Sequence, residues 1–218
     1  MNDAADATAV DEREAVSPEG PPEDRLGNLD AEARERRAAA LAQIRTFGDP
    51  VLKSRAAPIT DFGPELEREA ERMIELMHDA IGVGLAATQL GVMHRMLVFQ
   101  AGLEATPTAV VNPEIEWTSE ELATAEEGCL SLPGVSVDVS RPLYARIRGQ
   151  GTSGDPLLVE ASGLEARVLQ HEIDHLDGVL MLDRTDREQR KAALRALREG
   201  TTYSPSAEDG ENSTGDEA

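Results

Sequence analysis

Residues 170–178 have the sequence QHEIDHLDG, and this stretch decides the architecture that we expect. His171 and His175 stand four positions apart, with Glu172 next to the first. On a helix this spacing brings both imidazoles to one face, with about 5–6 Å between their Cβ atoms. Two imidazole nitrogens can then hold one metal ion, while the glutamate acts on water that the ion activates. The spacing also occurs in helices with two ordinary histidines, so that alternative stays open.

The residues around this motif predict a helix with both ends marked. Ser162 and Glu165 have the spacing of a capping box, and Gly178 fits just beyond the carboxyl end. Leu164 and Val168 fall on the same face as the two histidines. We therefore expect the histidines to point into the protein interior.

A catalytic metal site needs a third protein ligand, and the sequence offers several candidates. One class of zinc peptidase places a histidine where this chain has Met181, whose thioether is a poor ligand for such ions. A second class takes a downstream glutamate, and Glu188 and Glu199 lie in a polar, charge-alternating segment. The single cysteine, Cys129, follows Gly128 in EEGCLSLPG. A cysteine, two histidines and a water complete a four-coordinate catalytic site.

Purely structural interpretations of other residues also stay open. A lone cysteine is most often a small buried hydrophobe, and His78 and His94 suit surface or packing roles. Residues 82–89, GVGLAATQ, are by themselves typical of a helix end followed by a tight turn and a core strand.

Composition excludes several classes of partner and location. The chain has 42 acidic and 21 basic residues, a net charge of −21, which argues against direct DNA binding and against binding to anionic membranes. One cysteine excludes an internal disulfide and fits a reducing compartment. No secretory signal and no apolar run of about 18 residues is found. We therefore expect a cytoplasmic protein.

Charge and periodicity divide the chain into three parts. Residues 1–40 form an acidic, largely disordered N-terminal extension, with a marginal helix from Asp30 to Ile44 leading into the domain. Residues 41–200 form the domain. Residues 201–218 form a disordered acidic tail.

The pattern within the domain predicts an α+β fold. Short antiparallel β-sheets pack around a central metal-binding helix, with an N-terminal helix and a C-terminal helix. The first strong helix begins at Pro64 and ends at Gly82, and the closing helix ends at Gly200. The buried stripe of the helix that begins at Pro64 comprises Leu66, Ala70, Met73, Ile74 and Met77. The expected strands are RMLVFQ, TAVVNPEIEW, VSVDV, YARIRGQ and PLLVEA.

Three separated segments together resemble the signatures of the peptide deformylase family, in its shorter bacterial form. Residues 82–89, GVGLAATQ, resemble G-x-G-x-A-A-x-Q; EGCLS at 127–131 matches the second signature, and QHEIDHLDG the third. Order and spacing agree, with 40 residues from Gln89 to Cys129 and 42 from Cys129 to His171. FGDPVLKSRA resembles the family's N-terminal start, so the resemblance covers about residues 42–185.

The resemblance implies a metal-dependent enzyme that removes the formyl group from the N-terminal formyl-methionine of newly synthesised polypeptides and releases formate. It implies that Cys129, His171 and His175 bind one divalent metal ion per chain. The usual metal of the family is Fe(II), and Zn, Ni or Co can replace it.

The resemblance also implies roles for other residues. Glu172 is expected to act as general base and acid, and Gln89 with the backbone N–H of Leu130 to stabilise the oxyanion. The implied substrate-binding residues lie in the first two motifs: Val83, Gly84, Glu127 and Gly128.

One departure concerns arginine. Many bacterial members carry an arginine a few residues after EGCLS, near the substrate backbone, whereas the first arginine here is Arg141. Arg141 therefore has another role, or substrate anchoring differs. We expect Asp174 to lie opposite the ligand face, either as an anchor, for example for Arg141, or as a solvated acid.

The resemblance also implies binding partners. The partners are formyl-methionyl nascent polypeptides and, transiently, the ribosome through the closing helix; we expect a monomer. Two other functions stay open: a zinc peptidase, which needs a third ligand other than Cys129, and a non-catalytic paralogue that binds nascent chains or formyl peptides.

Overall fold

The computed structural model describes residues 29–102 and 104–206, so most of the extension expected at 1–40 and of the tail expected at 201–218 lies outside the described residues. Within the described part of the tail, the N–H of Tyr203 donates to the carbonyl of Gly134 at 3.0 Å. The expected first helix is present as α1, Ala31–Leu41. It begins after Asp30, whose carboxylate accepts a hydrogen bond from the N–H of Ala33 at 2.7 Å. α1 ends at Leu41, just past the boundary predicted at residue 40. Ala40 and Ile44, on either side of this helix end, are buried in the same cluster as the next helix. That boundary stays a prediction.

The second helix, α2, covers Pro64–Asp79 and begins with proline at its first position, as expected. It ends three residues before Gly82, and Ile81 there has a φ of 61°. The buried stripe differs from the prediction at one position, because Leu76 is buried and Ile74 is only partly so.

The described chain contains seven strands, numbered in order. They are β1 (Gly84–Ala86), β2 (Met96–Phe99), β3 (Thr108–Thr118), β4 (Leu122–Cys129), β5 (Leu132–Pro142), β6 (Tyr144–Gln150) and β7 (Pro156–Ser162). Five form an antiparallel sheet in the order β1-β2-β3-β6-β7, and β4 pairs with β5 in a two-stranded sheet. The five predicted strands are confirmed. β1 matches the core strand that residues 82–89 allowed as an alternative, and β4 was not predicted.

The central helix, α3, covers Gly163–Leu176 and packs against the five-stranded sheet through a core that includes Leu169, Ile173 and Leu176. Its carboxyl end is as expected, with Gly178 at a φ of 74°. Two details are wrong. Ser162 makes no side-chain capping bond, and Leu164 is 55% exposed because it lies in the first turn, beyond the edge of the core.

The last helix, α4, covers Arg187–Glu199 and ends at Gly200, as predicted. Its buried alanines, Ala193 and Ala196, pack with Val137 and Val139 of β5. Three short 3₁₀ helices complete the described chain: Pro50–Lys53, Ala87–Leu90 and Met181–Asp183. Among the described residues, every helix is too short or too polar to span a membrane. The α+β arrangement around a central helix is confirmed.

Candidate metal centre

The fold brings together one thiol and two imidazoles from distant parts of the sequence. Cys129 ends β4, whereas His171 and His175 lie one turn apart on α3. The Cys129 Sγ lies 3.2 Å from the His175 Nε2, and one donor atom from each of the three residues lies within 4.8 Å of the other two. The two rings meet edge to face, with centroids 4.9 Å apart. Within residues 29–102 and 104–206, no other set of three such donors converges in this way.

The donor set fits a divalent metal ion. Zinc–ligand distances of about 2.3 Å for sulfur and 2.0–2.1 Å for nitrogen place two tetrahedral ligands about 3.5 Å apart, close to the observed sulfur–nitrogen distance. His171 directs its Nδ1 to the Glu127 carboxylate at 3.0 Å, so its Nε2 remains for the ion. Such a carboxylate partner fixes the ring of a histidine ligand. The predicted ligands are therefore in suitable positions.

Glu172 lies beside this cluster in an enclosed position. Its side chain is buried, and among the described residues its Oε2 has no hydrogen-bond partner. Burial raises the pKa of Glu172 to about 7, although the charges of His171 and Arg141 oppose the shift. A carboxyl with this pKa can exchange a proton near neutral pH.

Gly84 leaves the space that the Glu172 side chain occupies. A Cβ added at Gly84 would lie 2.5 Å from Glu172 Oε1 and 2.8 Å from its Cγ. The glycine of the first motif is thus required by the glutamate of the third. Gly84 is on β1, which pairs with β2 on one side and forms an edge of its sheet.

Gln89 lies in the 3₁₀ helix after β1 and is almost fully buried. Its Oε1 accepts the N–H of Ala86 at 2.9 Å, and its Nε2 donates to Ser131 Oγ at 3.2 Å. The same nitrogen is 3.8 Å from Cys129 Sγ. One Nε2 hydrogen therefore points toward Ser131 and the other toward the thiol.

The other predicted residues surround the cluster. Leu130 follows Cys129, and its Cδ1 lies 3.1 Å from where a Cβ at Gly82 would be, so the first two motifs touch. Val83 is partly buried and accepts the N–H of Gln100 at 2.9 Å. Gly128 is exposed, with nothing within 4 Å of an added Cβ.

The carboxylate of Glu127 is bonded within the protein interior. It is 5% exposed and accepts hydrogen bonds from Arg141 at 2.5 and 2.9 Å and from Arg167 at 2.7 Å, besides its bond with His171. The side chain is therefore engaged within the protein, and the substrate-binding role of Glu127 stays a prediction that concerns its main chain. Burial opposes ionisation, but the bonds from Arg141 and His171 hold the pKa of Glu127 well below its usual range.

Arg141 has a structural role, which is the first of the two alternatives that the sequence left open for it. It is buried, and it connects Glu127 with Asp174, whose Oδ2 it reaches at 2.9 Å. Asp174 is 7% exposed and also pairs with Arg184 at 2.5 Å, so it is an anchor and not a solvated acid. Arg141 is consequently committed to these two carboxylates.

Two arginines of this network were missed from the sequence. Arg167 donates to the carbonyls of Val139 and Ala123 as well as to Glu127, and so ties α3 to both strands of the small sheet. Arg167 stands four residues before His171, a helical spacing that could have indicated their shared face. Arg184 carried no local signal, since its partner lies ten residues away across a turn.

The pKa values of the two histidines move in opposite directions without a bound cation. Burial alone would lower the pKa of His171, but its hydrogen bonds with Cys129 and Glu127 raise it well above the ordinary value. Burial and the charge of His171 hold the pKa of His175 well below that value. His171 must therefore lose a proton before its nitrogen can bind a metal.

The competing third ligands lie elsewhere. Met181 is buried in the core beneath α4, and Glu199 pairs with Arg195 at 2.9 Å. His94 bonds Glu69 and His78 bonds Gln100, away from the donor cluster. Glu188 lies in the first turn of α4, likewise outside the cluster.

An α+β fold that surrounds a Cys–His–His donor set and a buried glutamate defines a class, the metal-dependent hydrolases with a helical H-E-x-x-H motif. Comparison with known proteins identifies the family. The sequence profile described as Polypeptide deformylase matches residues 41–191. By this match the chain belongs to the polypeptide deformylase family, enzymes that remove formyl groups.

Individual relatives agree with this assignment. A peptide deformylase of Acidothermus cellulolyticus is 49% identical over 160 residues, which are 73% of this chain and 87% of that protein. Peptide deformylase 1 of Corynebacterium glutamicum is 46% identical over 164 residues, 73% of this chain and 95% of the relative. The crystal structure of peptide deformylase from Thermotoga maritima is similar with a TM-score of 0.64 and 47% identity, covering 66% of this chain and 97% of that one.

Proposed function

We propose that this enzyme hydrolyses the formamide of N-terminal formyl-methionine on newly synthesised polypeptides and releases formate. The observation that carries the proposal is the convergence of Cys129, His171 and His175 beside the buried carboxyl of Glu172. Membership of the family supports the same reaction.

Cys129, His171 and His175 would hold one divalent ion per chain. A thiolate among the donors suits iron or zinc better than magnesium or calcium, and we propose Fe(II), with Zn, Ni or Co as substitutes. When bound, the ion would lower the pKa of water and polarise the formyl carbonyl.

Glu172 would accept a proton from water and later donate it to the leaving amine. Its position beside a ligand, with one oxygen lacking a partner among the described residues, supports a role as base toward the attacking water. The proton would then pass from the carboxyl to the amine nitrogen as its bond to the formyl carbon breaks. Burial keeps competing water away from this carboxyl.

Gln89 and the N–H of Leu130 would stabilise the negative charge that develops on the formyl oxygen. Gln89 is held by Ala86 and Ser131, so its amide needs little reorganisation as the charge forms. Loss of one such donor costs about 10²–10³ in rate.

The substrate would bind as an extended strand. β1 is an edge strand, and the backbone of Gly84 is available on its outer side for main-chain pairing with a peptide. Val83 would form a wall of the pocket, and the main chain around Glu127 and Gly128 the opposite side. Because Arg141 is committed to Glu127 and Asp174, peptide anchoring would not depend on it.

The remaining proposals concern the cellular setting. Formyl-methionyl chains emerge from ribosomes, so we propose action in the cytoplasm, by a monomer, with transient ribosome contact through α4. Basic residues on α4 support that contact: Arg187, Arg190, Lys191, Arg195 and Arg198.

The test is formate release from a formyl-methionyl peptide by protein purified without oxygen and loaded with Fe(II) or Ni(II). We expect turnover that Glu172→Ala abolishes while one metal ion per chain is retained, and that Glu188→Ala leaves unchanged. Stoichiometric metal without turnover would overturn the proposal and favour a non-catalytic binding protein.

A further inference from the structure

A segment outside the three motifs connects the two elements that carry the proposed oxyanion donors. The N–H of Arg45 donates to the carbonyl of Gln89 at 2.6 Å, and the N–H of Phe47 donates to the carbonyl of Ser131 at 2.8 Å. Gln89 and Ser131 are also bonded to each other through their side chains at 3.2 Å. These three hydrogen bonds close a ring, which we call the 45–47 ring.

The segment is itself held at its position. The Arg45 guanidinium lies over Gly91, which has a φ of 81° and ends the 3₁₀ helix of Gln89. A Cβ at Gly91 would lie 2.8 Å from Arg45 Nε. On the other side, Asp49 is 3.8 Å from the same Nε and caps the next 3₁₀ helix through the N–H of Val51. The guanidinium of Arg45, at the start of the segment, is therefore held between Gly91 and Asp49.

Ser131 orients the amide of Gln89. It is fully buried, and its hydroxyl accepts one of the two hydrogens on Gln89 Nε2. The N–H of Ala86 holds the amide oxygen, so the amide cannot flip without losing both bonds. The second Nε2 hydrogen is left on the side of Cys129, where the oxyanion would form.

The ring also holds the second donor. Leu130 lies between Cys129 and Ser131, so the bond from Phe47 to the Ser131 carbonyl restrains the turn that presents the Leu130 N–H. An oxyanion donor is effective only near 2.7–3.1 Å from the developing charge. Fixing the two donors relative to each other therefore matters more than either position alone.

We propose that Arg45–Phe47 and Ser131 are positioning residues that set the separation of the two oxyanion donors. The proposal rests on the proposed function, which supplies the roles of Gln89 and Leu130. It adds residues to the reaction that touch neither substrate nor metal.

The experiment removes two ring bonds separately. Incorporation of phenyllactic acid at Phe47 replaces the N–H with an ester oxygen and keeps the side chain, and Ser131→Ala removes the hydroxyl. Phenyllactic acid at Phe62 is the matched control, because Phe62 lies two residues before α2, outside the ring. All variants are loaded with Co(II), whose absorption spectrum reports the thiolate and imidazole ligands.

We expect kcat per metal-loaded chain to fall at least about tenfold in both ring variants, with KM within about twofold and the Co(II) spectrum unchanged. The double variant should lose little more than the worse single variant, because both changes open one ring. The Phe62 control should keep its kcat.

The result that overturns the inference is an unchanged kcat in Ser131→Ala, whatever its effect on thermal stability, because a purely structural ring would move only stability. If the Phe47 ester does not fold, Ser131→Ala alone decides by the same criterion. A wild-type enzyme without turnover would instead overturn the proposed function, and this inference with it.

Discussion

Gly84→Ala should separate the position of the proposed general base from the stability of the fold. The added Cβ would lie 2.5, 2.8 and 2.9 Å from Oε1, Cγ and Cδ of Glu172. Carbon and oxygen atoms in ordinary contact are about 3.5 Å apart, so one partner must move by roughly 1 Å. Leu85 and Ala86 are fully buried in β1, which makes a shift of the strand the costlier response. We expect Glu172 to move.

The size of the effect follows from this displacement. A misplacement of about 1 Å costs about 10²-fold in rate, which is about 2.7 kcal/mol of transition-state stabilisation. Overpacking of a buried site costs a further 1–3 kcal/mol, roughly, in the free energy of unfolding. The loss should appear in kcat with little change in KM, because the substrate-pairing backbone of Gly84 is retained.

The assay is steady-state formate release by Ni(II)-loaded enzyme, with metal content and thermal unfolding measured on the same samples. Gly149→Ala is the matched control. Its Cβ would lie 2.6 Å from Val110 Cγ1 and 2.9 Å from the Val111 carbonyl, a comparable clash between β6 and β3. Gly149→Ala should lose similar stability but keep kcat within about twofold per folded, metal-loaded chain.

Three results would refute this reasoning. If Gly84→Ala kept kcat within about threefold, the close packing would not determine the position of Glu172. If KM rose while kcat stayed constant, Gly84 would act through substrate pairing alone. Equal kcat losses in Gly149→Ala would indicate a general effect of strain on the sheet.

Three further predictions follow from the metal centre. Cys129→Ala should weaken metal binding more than about 100-fold, a larger loss than the 10–100-fold typical of a residue that only hydrogen-bonds to a ligand. Metal content after dialysis measures this loss. Retention of one ion per chain would favour the zinc peptidase alternative. Glu127→Gln should weaken metal binding about 10–100-fold because His171 loses its charged partner, and a competition titration that finds less than a threefold change would contradict this. In the metal-free protein the pKa of Glu172 is about 7 in the folded state, above its ordinary value of 4.5. Ionisation of this carboxyl therefore lowers the free energy of unfolding, and the loss grows as pH rises from 4.5 to 7 and is complete above 7. Glu172→Gln should therefore raise the free energy of unfolding by up to about 3 kcal/mol at pH 8 and by almost nothing at pH 4, in urea titrations; equal gains at both pH values would exclude a buried charge as the cause.

Much of the fold was predictable because its local signals agree with the final packing. α2, α3 and α4 carry apolar residues at helical spacing, and Pro64, Gly178 and Gly200 mark ends that backbone geometry requires. β6 and β7 are short apolar-polar runs between turn residues. These elements are specified by near neighbours, which is why the sequence alone predicts them.

β4 was missed because its pattern does not alternate. Its eight residues are largely exposed, and only Glu127 is buried. Such a strand is stabilised by pairing with the adjacent β5 and by the bonds of Arg167 to Ala123 and Val139, which lie 44 and 28 positions before it. A local window of sequence does not contain the bonds of Arg167. β1 has three residues, too few for any periodicity.

The chemical types in the candidate metal centre could be read from the sequence: one thiol, two imidazoles four residues apart, and an adjacent carboxyl. The positions of the other charges around it depend on tertiary packing. Glu127 stands next to exposed residues in the sequence, but folding buries its side chain between Arg141, Arg167 and His171, so its carboxylate orients the ring of a proposed metal ligand. The physical reason is distance along the chain. A motif fixes which donors can bind, whereas the hydrogen bonds and ion pairs that orient them join residues 14 to 44 positions apart and exist only after the sheets and α3 have packed.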